Sequence, residues 1–129
     1  MEAVKLVFVD DDPDDRDLFS ESLFALGVEP FLVLDSGKSL FTYLESIKGT
    51  ELPKGIVLDL NMPEMDGLEI LKQLKANKTY QRTPVYILTT SNNPESRQHC
   101  LKQGAANYYV KPTTLVELNT ILNEIYDEV

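Results

Sequence analysis

The sequence predicts an α/β fold in which helices cover both faces of a parallel sheet. Three observations predict it. Apolar runs of strand length alternate with longer segments whose apolar residues recur at helical spacing. The short runs are strongly apolar, as expected of strands buried on both faces. Glycine, serine and proline stand where helix ends are expected.

Taken in order, Val4 to Val9 reads as a buried strand rich in Val, Leu and Phe. Leu18, Phe19, Ser22, Leu23 and Leu26 then recur at helical spacing, and Gly27 occupies a C-terminal cap position. Pro30 to Leu34 is a second, shorter strand. Ser36 follows as N-cap of a helix carrying Leu40, Leu44 and Ile47. "GIVLDL", beginning at Gly55, is strand three, and the next helix follows Gly67 with Ile70, Leu71 and Leu74. "PVYILT" is strand four, and a helix opens near Pro94, a residue suited to a first turn. "NYYV" is strand five, and a last helix aligns Leu115, Leu118, Leu122 and Ile125. This is (βα) five times over. Parallel strands need crossover helices, and right-handed crossovers leave few topologies. The common five-stranded one is the doubly wound, flavodoxin-like order 2-1-3-4-5.

The 129 residues suffice for one domain, 1–129, with a proper core. Hydrophobic residues at 43% and charged residues at 26% are ordinary globular values. Apolar runs are too short to span a bilayer, and Met1 leads almost directly into the first strand, where a signal peptide would stand. A lone Cys100 fits a reducing cytoplasm. The net charge of −9 argues against general nucleic-acid affinity, which rests on Lys and Arg neutralising phosphates. A cytoplasmic domain with neither nucleic acid nor membrane as partner is therefore expected.

The chemistry collects around "VFVDDDPDDRDLF", where six of the eight residues from Asp10 to Asp17 are aspartates. In open α/β sheets, ligands bind beyond the carboxyl ends of the strands. Strand one ends at Asp10 and Asp11, strand three at Asp59, strand four at Thr89 and strand five at Lys111. In the expected strand order these groups converge on one crevice. Crowded carboxylates raise one another's pKa unless a cation neutralises them. Oxygen ligands with several open positions suit Mg²⁺. A carboxylate so placed can act as a nucleophile on phosphorus.

Four motifs carry a family resemblance: "VDDDP" after strand one, "LDLNMPEMDG" around Asp59, "ILTT" after strand four and "GAANYYVKP" around Lys111. Together, and in this order, they make the chain resemble a response-regulator receiver domain of bacterial two-component signalling over essentially its whole length. The "DDDPDD" loop resembles stand-alone receivers, of chemotaxis or phytochrome-associated type. The resemblance implies that Asp59 is the phosphoacceptor. Asp10, Asp11 and Asp59, with the Asn61 carbonyl, would hold Mg²⁺. Thr89 and Lys111 would meet the phosphoryl group, and Thr89 and Tyr108 would form the switch. Pro63 and Gly67 would shape the loop after Asp59, with Gly67 taking a positive φ. The Lys111–Pro112 bond would be cis. The partner would be a sensor histidine kinase or a histidine phosphotransfer protein, with an unnamed protein target downstream and weak homodimers within the family's habits. A receiver of this kind would catalyse its own phosphorylation and hydrolysis, so a switch with weak autophosphorylation and autodephosphorylation is expected, not a metabolic enzyme. No output domain is expected after the fifth helix, so output would lie in another protein or in passing the phosphoryl group on. Thr90 and Thr113 depart from the family pattern, the first by bulk beside the site, the second by replacing an apolar residue.

Plainer readings compete. Asp14, Asp15 and Asp17 read as charges favouring a helix start, with Asp12 near the metal but outside its direct ligands. Asp10, Asp12, Asp14 and Glu21 match EF-hand spacing, yet Asp15 stands where that loop needs glycine, and a strand precedes it. A phosphohydrolase of the haloacid dehalogenase type would need small turn residues where Pro13 stands and a late acidic pair. A receiver fold kept only for docking is the other rival. Tyr108 reads equally as a core aromatic or a switch, and Cys100 as a small packing residue.

Overall fold

The computed structural model describes residues 4–47 and 51–129. The chain runs β1 (Leu6–Val9), α1 (Pro13–Ala25), β2 (Phe31–Leu34), α2 (Gly37–Ser46), β3 (Gly55–Leu58), α3 (Gly67–Ala76), β4 (Val85–Thr89), α4 (Pro94–Lys102), β5 (Asn107–Val110) and α5 (Leu115–Glu128). The five strands form one parallel sheet in the order β2-β1-β3-β4-β5. That is the order expected from the alternation.

The strands read as continuous apolar runs because each face of the sheet has its own core. Val7, Val9, Ile56, Leu58, Val85 and Ile87 pack with Leu40 and Leu44 of α2, Ile70, Leu71 and Leu74 of α3, and Cys100 of α4. Leu6, Phe8, Val57, Tyr86 and Leu88 pack on the other side with Phe19 and Leu23 of α1 and Leu118, Leu122 and Ile125 of α5. Alternate residues of one strand thus feed opposite layers, as the period of two requires.

Caps set the helix limits. Asp12, Ser36, Asp66, Asn93 and Thr114 each accept a first-turn amide, and Pro13 and Pro94 open their helices. Gly27 ends α1 in the left-handed region, with its N–H on Phe24 O and that of Val28 on Leu23 O. This double bond is a Schellman closure. β1 and β3 stop two residues inside their expected bounds, at Leu6 and Leu58. The pairing nevertheless carries on at both ends, through Lys5 N–H to Pro30 O (2.7 Å) and Asp59 N–H to Val9 O (3.1 Å).

One polar tie crosses the α1/α5 core. Tyr86 is buried in β4, and its hydroxyl donates to Glu128 Oε2 at 2.7 Å. Burial, then the Glu128 bond and charge, hold this phenol above its ordinary 10.0. In the unfolded chain it ionises first, so the folded form keeps a proton that the unfolded form has lost. Its contribution to stability is full below pH 10 and falls as pH rises towards the folded pKa. We expect Tyr86→Phe to cost about 1 kcal/mol near neutrality. It should also flatten the loss of stability above about pH 10. Urea melts of both proteins across that range would check this, and parallel pH curves would contradict it.

Candidate functional site

The site lies at the carboxyl end of the sheet, and register assembles it. Val9 pairs with Leu58, so Asp10 and Asp59 leave adjacent strands side by side. Asp10 N–H donates to Leu34 O (3.0 Å), which fixes the first acid at the β1/β2 junction. Thr89 is the last residue of β4, and the Lys111 N–H donates to its carbonyl at 2.7 Å. Lys111 therefore leaves β5 directed across the strand ends. Its ammonium lies 2.8 Å from Asp10 Oδ2, 2.8 Å from Asp15 Oδ2 and 3.2 Å from Asp59 Oδ2.

Burial makes these charges matter. Asp10 is 1% exposed and Asp59 7%. Desolvation pushes the Asp10 carboxyl above its usual range, outweighing the nearby Lys111 ammonium and the Asp12 amide that favour its anion. Burial alone would lower the Lys111 pKa. Close contact with Asp10 and Asp15 and the charges of Asp10 and Asp59 reverse it, so Lys111 is held above the usual lysine range. The ammonium stays charged because carboxylates surround it.

One cation does not satisfy this cluster. Asp10 Oδ1 accepts the Asp12 N–H at 3.0 Å, but Oδ2, though at ion-pair distance from Lys111, has no aligned donor. Oxygens of Asp10, Asp11 and Asp59 lie within 4.8 Å of one another, and Asp11 opens the group to solvent. A buried acceptor lacking a donor, in an all-oxygen cluster with one exposed face, fits a hard divalent cation.

The loop after β3 frames this cluster. Asn61 is exposed at its edge, and its N–H reaches Asp59 Oδ1 at 3.4 Å. Pro63 O accepts the Met65 N–H at 2.7 Å, closing the turn, and Gly67 N–H donates to Leu60 O at 3.1 Å. The expected reason for Gly67 is corrected. The positive φ in this loop belongs to Glu64 (67°), whereas a Cβ on Gly67 would lie 2.2 Å from Asp59 O. Glycine is required here because the backbones touch. The expected cis bond is also corrected: among the described residues only Glu29–Pro30 is cis. Lys111 reaches its three carboxylates with a trans bond to the half-buried Pro112, the isomer ordinarily favoured before proline.

Thr89 and Tyr108 meet at a residue that the sequence reading overlooks. Thr89 is fully buried, and its Oγ1 accepts the Ser91 N–H at 3.4 Å. Tyr108 is 3% exposed, and its hydroxyl donates to Ser91 O at 2.8 Å. The tyrosine is thus already turned inward. Arg97 of α4 donates to Tyr108 O at 2.8 Å and sits 5.8 Å from the ring centroid. Thr90 and Thr113 are both exposed, so Thr113 leaves no gap in the core.

Two more contributors escape the sequence reading. Arg16 donates to Asp10 O at 2.9 Å, and Asp15 joins Lys111 instead of merely charging a helix start. Asp12 is the N-cap, bonded to the Asp14 N–H at 2.9 Å, and lies outside the metal-competent trio. We expect Gly67→Ala to displace the end of β3, lowering stability by about 1–3 kcal/mol. It should weaken divalent-cation binding as well, since Asp59 moves with its backbone. Unchanged melting and cation affinity would contradict the close-approach argument.

Comparison with known proteins agrees with this geometry. The response regulator receiver domain model matches residues 6–123. A chemotaxis protein CheY homolog of Campylobacter jejuni is 34% identical over 122 residues, covering 95% of this chain and 92% of its own. The phosphorylated cyanobacterial phytochrome response regulator RcpA superposes with a TM-score of 0.82 at 31% identity, over 95% of this chain and 91% of its own. The Mn²⁺-bound form of response regulator Rcp1 gives a TM-score of 0.79 at 29% identity, over 94% and 91%. With the sheet order and the family model in accord over nearly its whole length, the chain belongs to the receiver domains of two-component response regulators.

Proposed function

We propose that this chain is a phosphorylation switch in which Asp59 accepts a phosphoryl group from a histidine kinase or a histidine phosphotransfer protein. The observation that carries this reading is the meeting of Asp59, the acidic pair and Lys111 at one end of the sheet. A carboxylate oxygen of Asp59 attacks phosphorus, the P–N bond to the donor imidazole breaks, and the released imidazole takes up a proton. Asp10, Asp11, Asp59 and the Asn61 carbonyl are the residues that would hold Mg²⁺. When bound, the ion supplies positive charge to the phosphoryl oxygens. Lys111, fixed by its carboxylate partners, supplies a second charge from the protein, and the Thr89 hydroxyl supplies a donor. These groups serve one phosphoryl transfer and its hydrolysis, not turnover of a metabolite.

The switch would run through Ser91. A Thr89 hydroxyl drawn to the phosphoryl group gives up its bond to the Ser91 N–H, while the Ser91 carbonyl is held by Tyr108. Tyr108 is already buried, so phosphorylation would fix this position rather than create it. Arg97 passes the change to α4, whose only buried residue is Cys100. A helix with so small an anchor shifts at low cost. Leu101, Val110, Leu115 and Val116 are the exposed apolar residues of α4, β5 and α5. They make this face the proposed readout for a protein target. The acidic charge of the chain favours proteins over nucleic acid as partners, and no described helix is long and apolar enough to cross a membrane. A cytoplasmic setting, where phosphohistidine donors act, goes with this reading.

Incubation with Mg²⁺ and acetyl phosphate should add one phosphoryl mass to the protein and none to Asp59→Asn. Amide exchange in α4 and β5 should slow on phosphorylation. A phosphoryl group on the Asp59→Asn protein would remove Asp59 from this role, and unaltered exchange would remove the readout face.

A further inference from the structure

Asp15 occupies an unusual place for an acid in a first helical turn. It stands three residues after the N-cap Asp12, where an acidic side chain ordinarily folds back onto the cap N–H. That N–H is already taken by Asp10 Oδ1. The Asp15 carboxylate instead crosses to Lys111, a residue 96 positions away, at 2.8 Å.

An ammonium has three N–H donors. Lys111 donates to Asp15 and Asp59, and Asp10 Oδ2 stands 2.8 Å away in ion-pair contact, so three carboxylates share the one ammonium. A phosphoryl group on Asp59 needs Lys111 too, so it competes with the carboxylates already around the ammonium. Asp59 carries the new group. The side chain of Asp10 is only 2% exposed, so water does not reach it to replace the ammonium. The side chain of Asp15 is 28% exposed, so water can replace the ammonium there. The lowest-cost exchange is at Asp15.

We propose that Asp15 is a positioning residue that occupies Lys111 in the resting state and competes with the phosphoryl group for it. The inference rests on the phosphoacceptor reading above. Asp15 acts through Lys111 and touches neither Mg²⁺ nor the phosphoryl group. Its withdrawal accompanies phosphorylation, and its presence weakens the hold of the site on the phosphoryl group.

Beryllofluoride, a phosphoryl mimic, at saturating Mg²⁺ provides the probe. Its affinity for Asp15→Asn should exceed that for the wild type by about fivefold, the upper range for a partly exposed ion pair. Asp15→Glu should restore the wild-type value, and Asp14→Asn, which removes a helix-start charge without touching Lys111, should keep it. A rise in Asp14→Asn equal to that in Asp15→Asn would overturn the proposal. In a crystal structure of the wild-type beryllofluoride complex, Lys111 should keep Asp10 and have parted from Asp15. Equal affinities for wild type and Asp15→Asn would overturn the proposal, as would a Lys111–Asp15 contact preserved in that complex. If wild type takes up no beryllofluoride at all, the phosphoacceptor reading itself falls. Uptake without an Asp15 effect sinks only the present inference.

Discussion

The structure at the sheet's carboxyl end depends on one ammonium facing three carboxylates. Lys111 lies within 3.2 Å of Asp10, Asp15 and Asp59, in a place where little water reaches Asp10 or Asp59. An exposed ion pair contributes at most about 1 kcal/mol. Stripping the partner from a buried charge costs about 3–5 kcal/mol. The second case governs Asp10, whose burial already works against its charge. The lysine thus holds the pocket together, yet it leaves an excess of negative oxygen. That excess of oxygen ligands suits a hard cation.

Backbone geometry delivers these side chains, and most of that geometry is sheet register. The pairing of Val9 with Leu58 and the bond from Lys111 N–H to Thr89 O set the acids and the lysine at neighbouring strand ends. Gly67 adds a tighter constraint, since α3 begins against the carbonyl of Asp59 with no room for a side chain. Asp59 is thereby tied to the first turn of a helix as well as to its own strand. The same economy of connections links Thr89 to Tyr108 through a single residue, Ser91.

Much of this was legible in the chain because the signals are local. Unbroken apolar runs such as "NYYV" and helical spacing such as Leu118, Leu122 and Ile125 report burial directly, and Ser36 and Pro94 mark helix starts by their own chemistry. Asp10, Asp59 and Lys111 were legible because strand ends in a parallel sheet share one edge. What escaped depends on side-chain reach across the fold. Asp15 sits among acids that charge a helix start, and nothing adjacent to it shows that the cap N–H is already occupied by Asp10. Arg16 acts on the backbone carbonyl of Asp10 and Ser91 through its own backbone N–H and carbonyl, and neither contact leaves a residue-type signal. Gly67 was expected for the right loop but the wrong reason, because close backbone approach and positive φ both call for glycine and only coordinates separate them. The isomer before Pro112 likewise cannot be read from the dipeptide.

The most direct test is the unfolding free energy of Lys111→Met measured alone and together with Asp10→Asn. If the ammonium is what makes the buried Asp10 anion tolerable, Lys111→Met should cost about 3 kcal/mol near neutral pH, and adding Asp10→Asn should recover most of the loss. Losses that simply add, with no recovery in the double variant, would contradict the account.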